Sequence, residues 1–223
     1  PTASSLNWPT GATRPNLVIA PLAADGTVSI FNLAGSTAVI ADVVGWYGAA
    51  AGDAFVAQSP VRILDTREPG QGPCLSGSAR TLAVATHPLA VAAGVPADAA
   101  AVALNVTVVA PTSPGFLTVF PKGAAQPTAS TLNYVAGQVV PNGTVVKVGQ
   151  GGQIALYANA GCPDVIVDVV GWFAPGDPTS AGGFFGVNPY RLLDSRSAGQ
   201  VPCIGGTRTY HLTAAGVDGS AVP

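Results

Sequence analysis

The sequence predicts an all-β protein made of antiparallel sheets, arranged as a β-sandwich or jelly-roll-like module that is repeated in tandem. Three observations lead to this prediction. Apolar residues make up 48% of the 223 residues and charged residues only 9%, a composition opposite to that of a disordered chain. The 20 prolines and 28 glycines supply turns between short alternating segments. Two blocks of sequence also occur twice at nearly the same spacing, as expected of a repeated unit.

The first repeated block covers residues 1–47 and 127–173, which align without a gap at an offset of 126 residues. The second block is SPVRILDTR at residues 59–67, which returns as NPYRLLDSR at residues 188–196, an offset of 129 residues. Two long blocks at nearly one period indicate copies of a single unit of about 127 residues.

The repeat divides the chain into one complete unit and two parts of units. We interpret residues 55–176 as the complete unit, residues 1–50 as the C-terminal part of one unit and residues 184–223 as the N-terminal part of another. The two parts together lack only the counterpart of residues 97–126, so we expect the chain to be a processed or truncated piece. The missing counterpart either belongs to an unobserved or deleted part of the chain, or is supplied by a neighbouring copy that adds strands to an open sheet edge.

Eight strands are predicted within the complete unit, because short alternating apolar segments are bounded by Gly- and Pro-rich turns. The Ala-rich segment 89–101 is the one candidate helix, and Pro96 argues against a long one. The predicted strands cover residues 56–64, 80–87, 101–109, 115–120, 130–135, 143–148, 153–159 and 164–173.

The three cysteines predict one disulfide. Cys74 and Cys203 are equivalent in the repeat, whereas Cys162 aligns with Ser36. Cys74 and Cys162 fall in the same complete unit, so we predict a bond between them, with Cys203 left without a partner in this chain. The spacing lacks the paired cysteines of a zinc site, and we expect no metal.

Charged residues are sparse, yet they recur in the repeat. Arg62, Asp65 and Arg67 return as Arg191, Asp194 and Arg196, and a lone Asp lies in each DVVGW segment. A ligand or catalytic site is one interpretation. We favour a structural ion-pair network, because guanidinium groups pair with carboxylates in a fixed geometry and a buried Asp needs such partners. The predicted network comprises Arg62, Asp65, Arg67, Asp168, Arg191, Asp194, Arg196 and Asp42.

Four aromatic residues are candidates for contact with a glycan: Trp8, Trp46, Trp172 and Tyr134. Aromatic side chains can stack on sugar rings. At the ends of predicted strands, however, they more often close the core of a sandwich, and we favour that second role.

The remaining composition argues against several functional classes. Two histidines, a single Glu and no nucleophile-elbow or zinc-protease motif predict that the chain is not an enzyme and uses no cofactor. The nine cations are scattered and the net charge is −2, so nucleic acid is not an expected partner. No apolar run reaches the roughly 20 residues that a membrane-spanning helix needs.

The segments VRILDTR, ALNVTV, GFLTVFP, PTASTLNY, VPN and VIVDVVGWF resemble a repeat of secreted and cell-surface proteins of actinobacteria, which reads roughly VRLLDTR, LNVT, GFLTVYP, SNLN, VPN and DVVGYY. The resemblance covers essentially the whole chain. It implies an extracellular location and attachment to secreted hydrolases or cell-wall proteins, and it brings no defined activity. The chain departs from the repeat at Trp46, Trp172 and its cysteines.

The functional expectation is a non-catalytic, extracellular structural or adhesive module. Its low-charge surface and partial units suggest self-association, as a homo-oligomer, fibre or surface layer formed by strand addition between copies. The alternative is a carbohydrate- or cell-wall-binding module that accompanies a secreted hydrolase, with cell-wall polysaccharide as its partner.

Overall fold

A computed structural model describes residues 4–48, 52–176, 182–197 and 203–211. Its strands pair antiparallel throughout, which confirms the predicted all-β class with antiparallel sheets. In chain order the elements are β1 (Thr27–Thr37), β2 (Ile40–Tyr47), β3 (Ala54–Asp65), β4 (Arg80–Ala83), α1 (Pro88–Ala92), β5 (Ala101–Val109), β6 (Gly115–Pro121), β7 (Leu132–Tyr134), β8 (Val139–Lys147), a 3₁₀ turn (Gln150–Gly152), β9 (Gln153–Ala158), β10 (Asp164–Ala174), β11 (Phe184–Asp194) and β12 (Ile204–His211).

Each of the eight strands predicted in the central unit is present, from β3 to β10. The largest difference in length is at β4, which ends at Ala83 instead of residue 87. There Val84 and Ala85 both donate their N–H groups to the carbonyl of Gly152, outside the strand ladder. The candidate helix is only the short α1, which begins at Pro88 and ends before Gly94, a residue at φ 99°, a conformation that favours glycine.

The central strands form two four-stranded sheets, with strand orders β3-β10-β5-β8 and β4-β9-β6-β7. One buried hydrophobic cluster contains residues of both sheets, among them Leu104 and Val167 of the first sheet and Leu117 and Leu156 of the second. Each of these four side chains is at most 1% exposed. Both sheets therefore bury apolar side chains in the same core.

The sequence pattern of β5 explains its place in that core. Alternate residues of a strand point to the same face, and Val102, Leu104, Val106 and Val108 are each at most 1% exposed. Burial of one such side chain contributes about 1.5–3 kcal/mol. β5 is also paired along both edges, with β10 and β8, so it is an interior strand of its sheet.

The outer segments of the chain pair with each other in two-stranded sheets, β2 with β11 and β1 with β12. Their register matches that of the central strands. Asp42 lies opposite Arg191 in the β2–β11 pair, as Asp168 lies opposite Arg62 in the β10–β3 pair. The β1–β12 pair likewise matches the β9–β4 pair.

Residues 4–26 contain no strand, although they align with residues 130–152, which contain β7 and β8. In the central sheets β7 pairs only with β6, and β8 only with β5. Among the described residues, no strand equivalent to β5 or β6 accompanies the outer segments. A strand needs a hydrogen-bonded partner, so the same type of sequence is irregular in residues 4–26.

A small apolar cluster joins the outer strands to the first sheet. The ring of Phe184 on β11 lies 4.6 Å, centroid to centroid, from that of Phe173 on β10. Ala101 and Val145 complete the buried cluster, and Leu17 packs against it. The β2–β11 pair is therefore held against the face formed by β10, β5 and β8.

Candidate functional site

The first predicted charge network lies where β3 and β10 run side by side. Nε of Arg62 donates to Oδ1 of Asp168 at 2.8 Å, and Nη2 donates to Oδ2 at 3.2 Å. Nη1 of the same guanidinium donates to Oδ2 of Asp65 at 3.3 Å. One arginine thus connects two carboxylates on neighbouring strands.

Asp65 is the most enclosed member of this network, with a side chain only 5% exposed. Nε and Nη2 of Arg67 donate to its two oxygens at 2.8 and 2.6 Å, and the Arg67 backbone N–H donates to Oδ1 at 3.2 Å. These hydrogen bonds, led by the one from the Arg67 side chain, lower the pKa of Asp65 to about 2. The carboxylate is therefore ionised and fully engaged at neutral pH.

The second network repeats the first on β2 and β11. Nε and Nη2 of Arg191 donate to Asp42 at 2.9 and 3.2 Å, and Nη1 donates to Asp194 at 3.4 Å. Arg196 donates to both oxygens of Asp194 at 2.8 and 2.7 Å. Its side chain holds the pKa of Asp194 well below the usual range. All eight predicted charged residues are thus brought together in two sets of four.

This arrangement gives the networks little capacity for proton transfer. Both oxygens of Asp65, Asp168, Asp42 and Asp194 accept hydrogen bonds from arginine. The lowered pKa values of Asp65 and Asp194 make these two carboxylates poor general acids, because a catalytic acid needs a pKa near the working pH. The geometry of the networks favours a structural role, in which the ion pairs join neighbouring strands.

Two hydroxyl residues next to the networks were not anticipated. Oγ1 of Thr66 donates to Asp164 at 2.8 Å and accepts from the N–H of Val165 at 2.9 Å. Oγ of Ser195 accepts from the N–H of Val39 at 2.8 Å. The signal in the sequence is the hydroxyl that follows Asp in both DTR and DSR. This hydroxyl group joins the end of β3 to the start of β10 in the first network, and the end of β11 to the residue before β2 in the second.

The predicted disulfide between Cys74 and Cys162 is present, with its Cα atoms 5.1 Å apart and 88 residues of sequence separation. Cys203 is free and exposed. Leu75 donates its N–H to the carbonyl of Pro163, and Ile204 lies opposite Thr37 in the equivalent register. Cys203 and Ser36 therefore occupy, in the outer segments, places equivalent to those of Cys74 and Cys162 in the central unit.

We expect Ser36→Cys to form a disulfide with Cys203, because the equivalent backbone register already holds one. Thiol titration of the unfolded variant should find no free thiol, and peptide mapping should recover a link between position 36 and Cys203. Thr37→Cys is the matched control, since neighbouring residues of a strand point to opposite faces. Two persistent free thiols in the Ser36→Cys variant would show that the registers differ.

The four candidate glycan-contact residues occupy different environments. Tyr134 is only 3% exposed, and its hydroxyl donates to the Ala160 carbonyl at 2.6 Å, so it offers no ring face and we correct its assignment. Trp172 is half-buried against the central core. Trp8 is exposed, and Trp46 is half-buried on β2.

Trp46 borders a cavity of about 310 Å³ between β2–β11 and the end of β8. Its ring stacks on Phe185 at 5.4 Å with an interplanar angle of 12°. Lys147 and Asp53 line the same cavity, and burial raises the pKa of Asp53. The cavity thus combines an aromatic wall with one cation and one carboxyl group.

In the part of the chain that the structure describes, no cluster of three or more His, Cys, Asp or Glu side chains is placed to hold a metal ion. The described residues also contain no helix with the length and apolarity that crossing a membrane requires. No family model, no curated protein and no solved structure matches the chain.

Proposed function

We propose that the chain is a non-catalytic structural or adhesive part of an extracellular repeat protein. Its unit is a β-sandwich of the two central sheets, and units recur in tandem along the protein. Copies associate by strand addition at open sheet edges and build a fibre or a surface layer.

The observation that carries the proposal is the duplicated register. The β2–β11 and β1–β12 pairs repeat the β10–β3 and β9–β4 pairs. Among the described residues, each outer sheet has two strands where each central sheet has four. Sheet edges left without a partner are templates for another strand. The central unit has all its strands, whereas the outer unit has sheet edges without a partner among the described residues, and this difference favours assembly between copies.

The charge networks support a structural role. The same pattern of Arg and Asp contacts occurs in both sets of strands, and each network joins neighbouring strands. A catalytic or ligand site would require at least one polar group free to act on a substrate. The networks instead satisfy their carboxylates internally.

The disulfide supports the extracellular assignment, and the low charge supports close packing between copies. A disulfide between distant parts of the chain persists in oxidising compartments and is rare in reducing ones. The surface also carries few charges, with 9% charged residues in the whole sequence. A low-charge surface reduces repulsion between copies and suits dense packing.

We expect the chain to self-associate as its concentration rises, with ordered polymers visible by negative-stain electron microscopy. Sedimentation velocity over a concentration series measures the association. Leu33→Lys should weaken it, because Leu33 on β1 is 86% exposed and lysine on an edge strand opposes further pairing.

Leu89→Lys is the matched control for this experiment. Leu89 is also an exposed leucine, at 56%, but it lies on α1 and not on an open strand. It should leave association unchanged. A chain that sediments as a monomer at every concentration, or that responds equally to both substitutions, would refute the assembly.

The second candidate function is binding of cell-wall polysaccharide on behalf of a hydrolase in the same protein. The cavity beside Trp46 and Phe185 favours it, because an aromatic wall with nearby Lys147 and Asp53 can stack on a sugar ring and bond its hydroxyls. Pull-down with purified cell walls that is lost in Trp46→Ala and kept in Trp8→Ala would favour this function over the first.

A further inference from the structure

Several apolar side chains of the outer segments are exposed where their counterparts in the central unit are buried. Trp8 is 39% exposed and its counterpart Tyr134 is 3% exposed. Tyr47 is 44% exposed, whereas its counterpart Phe173 is 1% exposed. The outer segments therefore carry the residues of a core that is incomplete.

A third comparison gives the same result and points to the cause. Ile19 is 70% exposed, and its counterpart Val145 is 6% exposed. Val145 lies opposite Ala103 of β5 in the first sheet. Val145 is buried in the cluster with Phe173 and Phe184, and the strand that pairs with it has no equivalent beside Ile19 among the described residues.

The other two counterparts also lie beside strands β5 and β6. Phe173 lies opposite Ala101 of β5, and Tyr134 lies opposite Gly115 of β6. Each exposed position therefore lies next to the place that a strand equivalent to β5 or β6 would take.

The backbone of β2 leads to the same element. Its counterpart β10 is paired along both edges, with β3 and with β5. β2 is paired with β11, the counterpart of β3, and in the described residues its second edge carries no strand. That edge presents unpaired backbone N–H and C=O groups, which only another strand satisfies in regular succession.

We propose that β2 and the segment 6–21 form an acceptor site for a donor segment with the sequence of residues 97–126, whose two strands join two different sheets as β5 and β6 do, and which is supplied by a second polypeptide that carries this repeat. The inference rests on the proposed function and specifies which strands of two copies make contact. In the expected register, Asp42 lies opposite the donor residue equivalent to Asn105, as Asp168 does in the central unit. Donor side chains equivalent to Leu104 and Val106 enter the core of the outer unit, as Leu104 and Val106 do in the central one.

A synthetic peptide of residues 97–126 tests the site when it is added to the chain of residues 1–223. We expect saturable, one-to-one binding, measured by fluorescence anisotropy of the labelled peptide. Leu104→Asp in the peptide should weaken binding by about tenfold or more, because it places a charge in the core that the donor segment completes. A peptide of residues 127–148 is the control, since residues 1–22 of the chain already supply that sequence type.

Hydrogen–deuterium exchange with mass spectrometry locates the bound peptide. The amides of β2 and of residues 6–21 should become protected, and those of β10 and β8 should keep the protection they have without peptide. Absence of binding, equal binding of the Leu104→Asp peptide, or protection confined to the central unit would each overturn the acceptor site.

The result is separable from the test of self-association, which is carried out without peptide. A chain that is monomeric yet captures the peptide at β2 would retain the acceptor site and refute the assembly. If the chain polymerises equally well with saturating peptide, the proposed assembly stands, but the acceptor site is not the contact between its copies.

Discussion

Replacing both Cys74 and Cys162 by serine is expected to lower the free energy of unfolding by roughly 4 to 5 kcal/mol, more than the loss of any single charged side chain. The bond closes a long loop, because 88 residues separate the two cysteines. In the chain-entropy model, opening that loop restores conformational freedom mainly to the unfolded chain. Equilibrium unfolding in guanidinium chloride measures the loss.

Cys203→Ser is the matched control for the disulfide, because Cys203 is free and exposed. Its unfolding midpoint should equal that of the unmodified chain. The unmodified chain in excess reductant should approach the stability of the double serine variant. A double variant within about 1 kcal/mol of the unmodified chain would mean that native strain or residual unfolded structure cancels the cross-link.

Asp65→Asn is expected to lower the free energy of unfolding by about 2 to 3 kcal/mol at neutral pH. The carboxylate accepts hydrogen bonds from Arg62, from the Arg67 side chain and from the Arg67 backbone, and an amide cannot replace them all. The loss stays below that of a fully buried ion pair, because the two arginine side chains are 51% and 46% exposed and regain water.

The effect of this substitution should depend on pH. The pKa of Asp65 is about 2 in the folded chain and about 3.9 in an unfolded one. A lowered folded pKa means that the carboxylate stabilises the fold fully above the unfolded value, and that this stabilisation is lost as pH falls toward about 2. The stability difference between the original chain and Asp65→Asn should therefore shrink over that interval.

Asp98→Asn provides the comparison for both measurements. Asp98 is exposed, and it forms no ion pair with the described residues. Its substitution should change stability by less than about 0.5 kcal/mol. If Asp65→Asn behaved like Asp98→Asn in urea titrations from neutral to acid pH, the network would not stabilise the strand pairing.

Local sequence was sufficient to locate the strands of the central unit. The predicted strand at residues 101–109 coincides with β5, because its apolar and polar residues alternate with the period of a strand. The disulfide between Cys74 and Cys162 was also predictable, since the repeat placed both cysteines in one unit. The Arg and Asp residues could be assigned to networks because charges are rare in this chain.

The partners within each network were less predictable. Arg62 and Asp168 are 106 residues apart in sequence and meet because β3 and β10 are neighbours. Strand order depends on which apolar faces pack together. The alternation of apolar and polar residues along one strand does not show which other strand lies beside it. The core role that we favoured for the aromatic residues holds for Tyr134, which is 3% exposed, but its local sequence did not show which distant strands enclose its ring.

The sequence by itself determined the β class, the positions of most strands, the repeated blocks and the disulfide, because these follow from local alternation, turn residues and internal comparison. Only the tertiary structure decided which of two equivalent segments becomes a strand. Residues 13–21 and residues 139–147 are equivalent in the repeat, yet only the second segment is a strand, β8. The physical reason is that a strand is completed by hydrogen bonds to a partner, and β8 has β5 beside it.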